Sequence, residues 1–250
     1  MSALHSFAIF APHWWLPQNG ALHGHALDHQ LLLNLWIALT LLVLAHILLF
    51  AGLLLRGGPD KKKSFNWKLS SLIALTALFV WLTISAEKLW EDARYAGADP
   101  SAMQVEVTGE QFAWYFRYPG ADATFGDTRA ALVDAGAGNP LGIDPADSHG
   151  ADDIVSSELV LPVGREVDLR LRSLDVMHGF FIPEMRLKQN AVPGSTLHVH
   201  FTPERAGTYA ILCSQLCGLG HYRMQATLRV VSQQEFDAWL AAKAGAHASH

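Results

Sequence analysis

Cys213-Ser-Gln-Leu-Cys217-Gly-Leu-Gly-His221-Tyr-Arg-Met224 holds both cysteines of this 250-residue chain, with a histidine and a methionine at short spacing behind them. Thiolate, imidazole and thioether together are the donor set that soft or borderline copper prefers, and one short loop can wrap them around a single point. A Cys213–Cys217 disulfide is the alternative in an oxidising compartment, although it leaves His221 and Met224 without a role. Zinc is a further alternative, but it seldom takes methionine, and a structural zinc wants four Cys or His ligands. One loop cannot complete a copper site, so a further ligand is expected upstream. The best placed is His178, in Ser173-Leu-Asp-Val-Met-His178-Gly-Phe-Phe-Ile-Pro183.

Half of the residues are apolar, and they are unevenly spread. Leu31 to Leu55 carries no charge and exceeds the roughly 20 residues needed to cross a bilayer. A second apolar run, about Leu69 to Ile84, lies between Trp67 and Trp90, as an interfacial aromatic belt would be. Two buried helices of a soluble protein are the alternative. Between the runs, Arg56, Lys61, Lys62, Lys63 and Lys68 face one acid, Asp60, while the first thirty residues hold no Lys or Arg. The positive-inside rule then puts this loop in the cytoplasm, with both termini on the periplasmic or intermembrane-space side. Met1 to Gln30 lacks the basic start of a signal peptide and reads as a solvated polar arm, with His5, His13, His23, His25 and His29 along it. His46 lies mid-span, where an ionisable group is costly; a neutral imidazole bonded to a neighbouring helix is the expectation.

From about Tyr95 the pattern changes to short segments of period two, such as Met103, Val105, Val107 and Val167, Leu169, Leu171, then Leu197, Val199, Phe201. Turns at Pro119-Gly120, Pro162-Val163-Gly164, Pro193-Gly194 and Ala206-Gly207 separate them, and together they predict an antiparallel sandwich or barrel. His198 and His200 then point away from the core and read as solvated. The Ala-, Gly- and Asp-rich stretch from Ala121 to Asp153 is expected to cover nearby strands. Phe236, Trp239 and Leu240 suggest a short closing helix. The resulting division is an arm over 1–30, a helical hairpin over 31–90, the β-domain over 91–242 and a flexible tail over 243–250.

The two ligand motifs, with Pro193-Gly194 between them, resemble subunit II of haem–copper respiratory oxidases. That resemblance implies a two-helix transmembrane hairpin followed by an all-β, cupredoxin-like Greek-key sandwich or barrel that holds the binuclear copper centre CuA. It implies that Cys213 and Cys217 bridge two copper ions, His178 binding one and His221 the other. Met224 and the backbone carbonyl of Gln215 serve as weak axial ligands. It further implies a subunit of a proton-translocating cytochrome c oxidase, which takes electrons from cytochrome c and passes them to the haems of subunit I without bond chemistry of its own. The implied partners are subunit I, further oxidase subunits, cytochrome c or a bound c-type cytochrome, and the bilayer; nothing points to nucleic acid.

Some positions depart from the family pattern. Gln215 stands where relatives carry a glutamate that helps hold magnesium, and Asn190 where many carry Asp; neutral amides are poorer ligands for a hard cation, so magnesium at the subunit I boundary is in doubt. In Gly109-Glu-Gln-Phe-Ala-Trp-Tyr-Phe-Arg-Tyr118, Phe112 replaces the tryptophan taken as the point where electrons enter, and Trp114 keeps the second aromatic position. Asn66 and Lys68 stand where a proton-path glutamate often lies. The small subunit of a CuA-bearing nitric oxide reductase and a membrane-tethered copper protein are the alternative functions. Quinol-oxidase subunits lack these ligands, and no Cys-x-x-Cys-His marks a fused c-type haem. Glu91 to His250 holds 20 acidic against 12 basic residues, a surface suited to steering a basic donor.

Overall fold

The computed structural model describes residues 16–55 and 61–247. They form two compact units: the stretch from His25 to Ala96, and the β-domain from Gly97 onward together with the described residues up to Gly24.

The first unit consists of two long helices, α1 (Gly24–Leu54) and α2 (Lys61–Trp90). A 31-residue helix is about 46 Å long, more than the roughly 30 Å hydrocarbon core of a bilayer. Both are long and apolar enough to span, and the most apolar stretch of neither is buried by protein. Hydrocarbon offers no partner to a backbone polar group, so an uninterrupted helix is the stable choice. The few hydroxyls obey the same constraint: Thr40 donates to Trp36 O at 2.8 Å and Thr83 to Phe79 O at 2.9 Å, each one turn back. His46 also turns inward. Its Nδ1 donates to Leu42 O at 2.7 Å, so the imidazole is bonded within its own helix and not, as expected, to a neighbouring one. Helix α1 starts at Gly24, before the uncharged run that predicts the span.

The second unit is a sandwich of two five-stranded sheets. Its strands are β1 (Met103–Glu110), β2 (Ala113–Tyr118), β3 (Ile154–Ser156), β4 (Glu158–Pro162), β5 (Val167–Ser173), β6 (His178–Ile182), β7 (Leu187–Ala191), β8 (Leu197–Phe201), β9 (Gly207–Cys213) and β10 (Gln225–Val231). One sheet runs β3-β2-β1-β5-β8 and the other β4-β10-β9-β6-β7. Val105, Val107, Phe116, Leu169 and Leu171 of the first pack with Phe180, Ile182, Ile211 and Leu228 of the second, all fully buried. The sheets are mixed, not antiparallel throughout: β1 pairs parallel with β5, and β10 with β4. Parallel neighbours require a long crossover, and in both cases the partners lie far apart in the chain. Alternation of apolar residues fixes the face of a strand, not the direction of its neighbour.

Two further segments close the sandwich. Helix α3 (Gln233–His247) starts with a reciprocal cap between Ser232 and Glu235. It lays Phe236 and Trp239 against Tyr118, and the Tyr118 hydroxyl exchanges hydrogen bonds with both backbone groups of Val160. The helix continues to His247, through most of the segment expected to be a flexible tail; 248–250 lie outside the described residues. The second segment is the end of the N-terminal arm. Of its histidines, His5 and His13 lie outside the described residues, but 16–24 are not a solvated arm. Gly20 N donates to Glu184 O, Glu204 N to Gly20 O and Leu22 N to Thr202 O, while Ala21 is completely buried in the core.

The stretch from 121 to 153 covers the outer face of the β3-β2-β1-β5-β8 sheet. Arg117, buried on β2, donates to Asp153 and to Gly126 O, and lies 3.7 Å from Glu106 of β1. Phe125 is stacked by the guanidinium groups of Arg117 and Arg170. His198 and His200 do point away from the core, each beside a carboxylate, Asp168 at 2.8 Å and Glu166 at 3.7 Å. The His198 ring is half exposed, whereas that of His200 is largely covered and thus not solvated as expected.

Candidate metal centre

Strands β6, β9 and β10 bring His178, Cys213 and Met224 to one end of their sheet. Phe180 pairs with Cys213 across β6 and β9, and Leu212 with Gln225 across β9 and β10. The loop between β9 and β10 folds back over this end, with Ser214 N donating to Gly179 O at 2.8 Å and Cys213 N to Met224 O at 3.1 Å. Gly179 is required at the crossing: a Cβ there would stand 2.3 Å from Ser214 Oγ and 2.9 Å from Gln215 N. A 3-10 turn over His221–Arg223 then returns the chain to β10.

These contacts gather the donors. One ligand atom each from His178, Cys213 and Cys217 lies within 4.8 Å of the other two. The Cys217 sulfur is 3.8 Å from that of Cys213, 3.6 Å from His221 Nδ1 and 3.7 Å from the Met224 sulfur. Cys213 Sγ lies 3.1 Å from Gln215 O. A disulfide would bring the sulfurs to about 2.05 Å; both thiols are free. All six residues singled out in the sequence therefore meet at one place.

The site fits a soft metal cation. His178 is 0% exposed, and its Nε2 donates to Asp175 Oδ1 at 2.8 Å. Its Nδ1 is buried without a hydrogen-bond partner, and an unpaired buried acceptor is costly unless something binds it. Burial, and Cys213 beside it, push the Cys217 thiol up to about 11, so a cation is needed to hold the thiolate. Burial raises Asp175, but the His178 ring and the backbone N–H groups of Val176 and Gln111 outweigh it and keep the carboxylate ionised below its usual range. The shell is apolar and aromatic: Trp114, 2% exposed, meets His178 edge-on at 5.8 Å and Phe180 at 5.2 Å. Leu216, 81% exposed, lies outside that shell.

Phe112 sits elsewhere. It is 38% exposed, and its ring packs on the ligand loop so closely that a Cβ on Gly220 would stand 2.4 Å from it. Leu174, Val176, Met177, Leu216, Leu219 and Tyr222 are also exposed on the loops around the cluster. Two polar residues around the site had no role assigned from sequence. Asp175 could have been found from its place one turn before His178. Gln111, whose Nε2 donates to Cys217 O at 2.5 Å, had no local signal.

Two long apolar helices and a β-sandwich with a thiolate–imidazole–thioether cluster at one end define a membrane-anchored, cupredoxin-like copper protein. Residues 103–231, just over half of the chain, match the profile of the family described as cytochrome C oxidase subunit II, periplasmic domain. The alternative cytochrome c oxidase subunit 2 of Bradyrhizobium diazoefficiens is 33% identical over 254 residues, covering 94% of this chain and 85% of that relative. The cytochrome c oxidase subunit 2 of Thermostichus vulcanus is 35% identical over 137 residues, which are 55% of this chain but 32% of that protein. Among solved structures, the periplasmic domain of subunit II of the Bradyrhizobium japonicum cytochrome oxidase is similar, with 26% identity and a TM-score of 0.41 over 58% of this chain and 95% of that one. The chain belongs to the cytochrome c oxidase subunit II family. Its β-domain is accordingly extracytoplasmic and its family implies copper; these relatives do not favour the nitric oxide reductase or copper-carrier alternatives.

Proposed function

We propose that the cluster holds the binuclear centre CuA and that electrons from a c-type cytochrome enter the oxidase here on their way to the haems of subunit I. The observation that carries this reading is the fully buried His178, its Nδ1 unpartnered, beside two free thiols. When bound, the copper pair supplies reversible one-electron acceptance and no bond chemistry.

The chain's own residues do the rest. Cys213 and Cys217 would supply two thiolates, and His178 and His221 one imidazole each. Met224 and Gln215 O supply weak donors that tune the site. Asp175 holds the His178 ring in the tautomer that leaves Nδ1 free as a donor atom. Trp114 and Phe180 exclude water from the His178 side, which limits solvent rearrangement when charge changes. Phe112 and the exposed apolar residues of the surrounding loops offer a docking collar, with electrons passing at the loop edge near His221 while Trp114 serves packing. Gln215 and Asn190 leave no acid for magnesium at these two positions. The same reading places both termini on the periplasmic side and the basic loop in the cytoplasm.

Copper titration of the purified chain tests the proposal. Two copper ions per chain are expected, with strong thiolate-to-copper absorption in the visible that Cys213→Ser or Cys217→Ser destroys. A single copper, bound with an intact Cys213–Cys217 disulfide, would rule the centre out.

A further inference from the structure

Gln111 and Phe112 form the two-residue turn between β1 and β2, closed by the Glu110–Ala113 pair. The turn belongs to the sheet opposite the one that carries the ligands, yet it touches both halves of the metal site. The Gln111 side chain donates to Cys217 O at 2.5 Å. Its backbone N–H donates to Asp175 Oδ2 at 2.8 Å, and the other oxygen of that carboxylate accepts from His178 Nε2 at 2.8 Å and from Val176 N at 2.6 Å. The contact is close-fitting: a Cβ on Gly218 would stand 2.7 Å from Gln111 Nε2, and Gly218 itself has φ +142°. A side chain is therefore disfavoured at the place where the loop presses on the turn.

Resting on the copper reading above, we propose that Gln111 is a positioning residue that clamps the metal site. Through one amide and one carboxylate it joins the Cys217 backbone to the His178 ring across the two sheets, without touching the metal. The bridge uses Cys217 O and His178 Nε2 and leaves Cys217 Sγ and His178 Nδ1 free for the metal, so it sets the separation of these two donors without competing for it. A glutamine is suited to this task. Cys217 O needs a donor, which glutamate, methionine and leucine cannot supply, and asparagine is one methylene too short to reach it from the same backbone.

The test compares the full chain in detergent micelles with its Gln111→Met and Gln111→Asn variants. Expected is copper release to a chelator about 10- to 100-fold faster than in the parent, the usual cost of losing an outer hydrogen bond, with a shifted thiolate-to-copper band and an unchanged thermal midpoint of the metal-free protein. Parent-like release and spectrum in both variants would overturn the clamp. So would a fall in metal-free midpoint that accounts for all of the copper loss, because the role would then be folding alone. If the parent takes up no copper, the copper reading fails and the clamp is judged separately, by alkylation of Cys217 in the metal-free chain. Faster alkylation in Gln111→Met supports the clamp, and an equal rate refutes it.

Discussion

The crossing of β6 by the ligand loop is the tightest steric condition in the site, and Gly179→Ala tests it. A Cβ at this position meets Ser214 Oγ at 2.3 Å and, more seriously, the backbone at Gln215 N and Ser214 C at 2.9 and 3.0 Å. Ser214 Oγ can rotate away, but the backbone cannot, so Gln215 must retreat by about 0.5 Å or more to reach ordinary carbon contact distance. Overpacking of this kind costs about 1–3 kcal/mol, and stretching the 2.8 Å bond from Ser214 N to Gly179 O adds about 1 kcal/mol. The expected loss in metal-free stability is therefore about 2–4 kcal/mol. Metal–ligand distances tolerate only about 0.2 Å of error, so the displaced Cys213 and Gln215 should also lose the native spectrum. Denaturant unfolding of the metal-free protein and copper titration of the same sample measure the two effects. An alanine variant with parental stability, stoichiometry and visible spectrum would refute the argument.

Three other outcomes follow from the same structure. Asp153→Ala leaves Arg117 buried with Gly126 O, the Phe125 ring and the more distant Glu106; removing one partner of a buried pair costs about 3–5 kcal/mol, here about 3 because those groups remain. Hydrogen exchange should show the 121–153 segment losing protection before the sandwich does, and unchanged protection would count against its being pinned by Arg117. The exposed pair Asp122–His149 should protect that segment only within a pH window. Its hydrogen bond raises His149 and lowers Asp122, so the His149 contribution is full below about pH 6.5 and lost as pH rises through its raised value, while that of Asp122 is full above about pH 3.9 and lost as pH falls through its lowered value. Protection at Thr124 N, which donates to Asp122 Oδ1, should thus be greatest, after correction for intrinsic exchange, between about pH 4 and 6.5, and a flat profile out to alkaline pH would contradict this. Finally, Trp114→Phe should perturb packing and copper potential, whereas Phe112→Trp should leave donor binding intact and reduction by the donor as fast or faster. Stopped-flow measurement at matched stability decides, and a large loss of rate in Trp114→Phe with spectrum and potential unchanged would sink that assignment.

The spans and the ligand loop are legible in the sequence because each is a local property. An uncharged run longer than a bilayer is thick must be helical wherever it sits in hydrocarbon, and Cys213 to Met224 are close in space because they share one loop. His178 is visible only through the motif around it. What surrounds these residues is set by contacts between segments far apart in the chain, and no period or spacing encodes those. The Gln111–Cys217 bond and the packing of Trp114 on His178 arise where the two sheets meet, and the closeness of Gly179 to Ser214 where the ligand loop folds back over β6. Alternation marks Glu106 and Arg117 as outward-facing, yet the 121–153 segment turns that face into a second buried layer. In the same way Ala21, in a stretch that reads as a polar arm, is core because Gly20 and Leu22 find backbone partners at Glu184, Glu204 and Thr202. The donors of the metal site are thus chosen by local sequence, while their spacing, shielding and second hydrogen bonds are decided by tertiary packing, since only the folded sandwich brings the remote partners within reach.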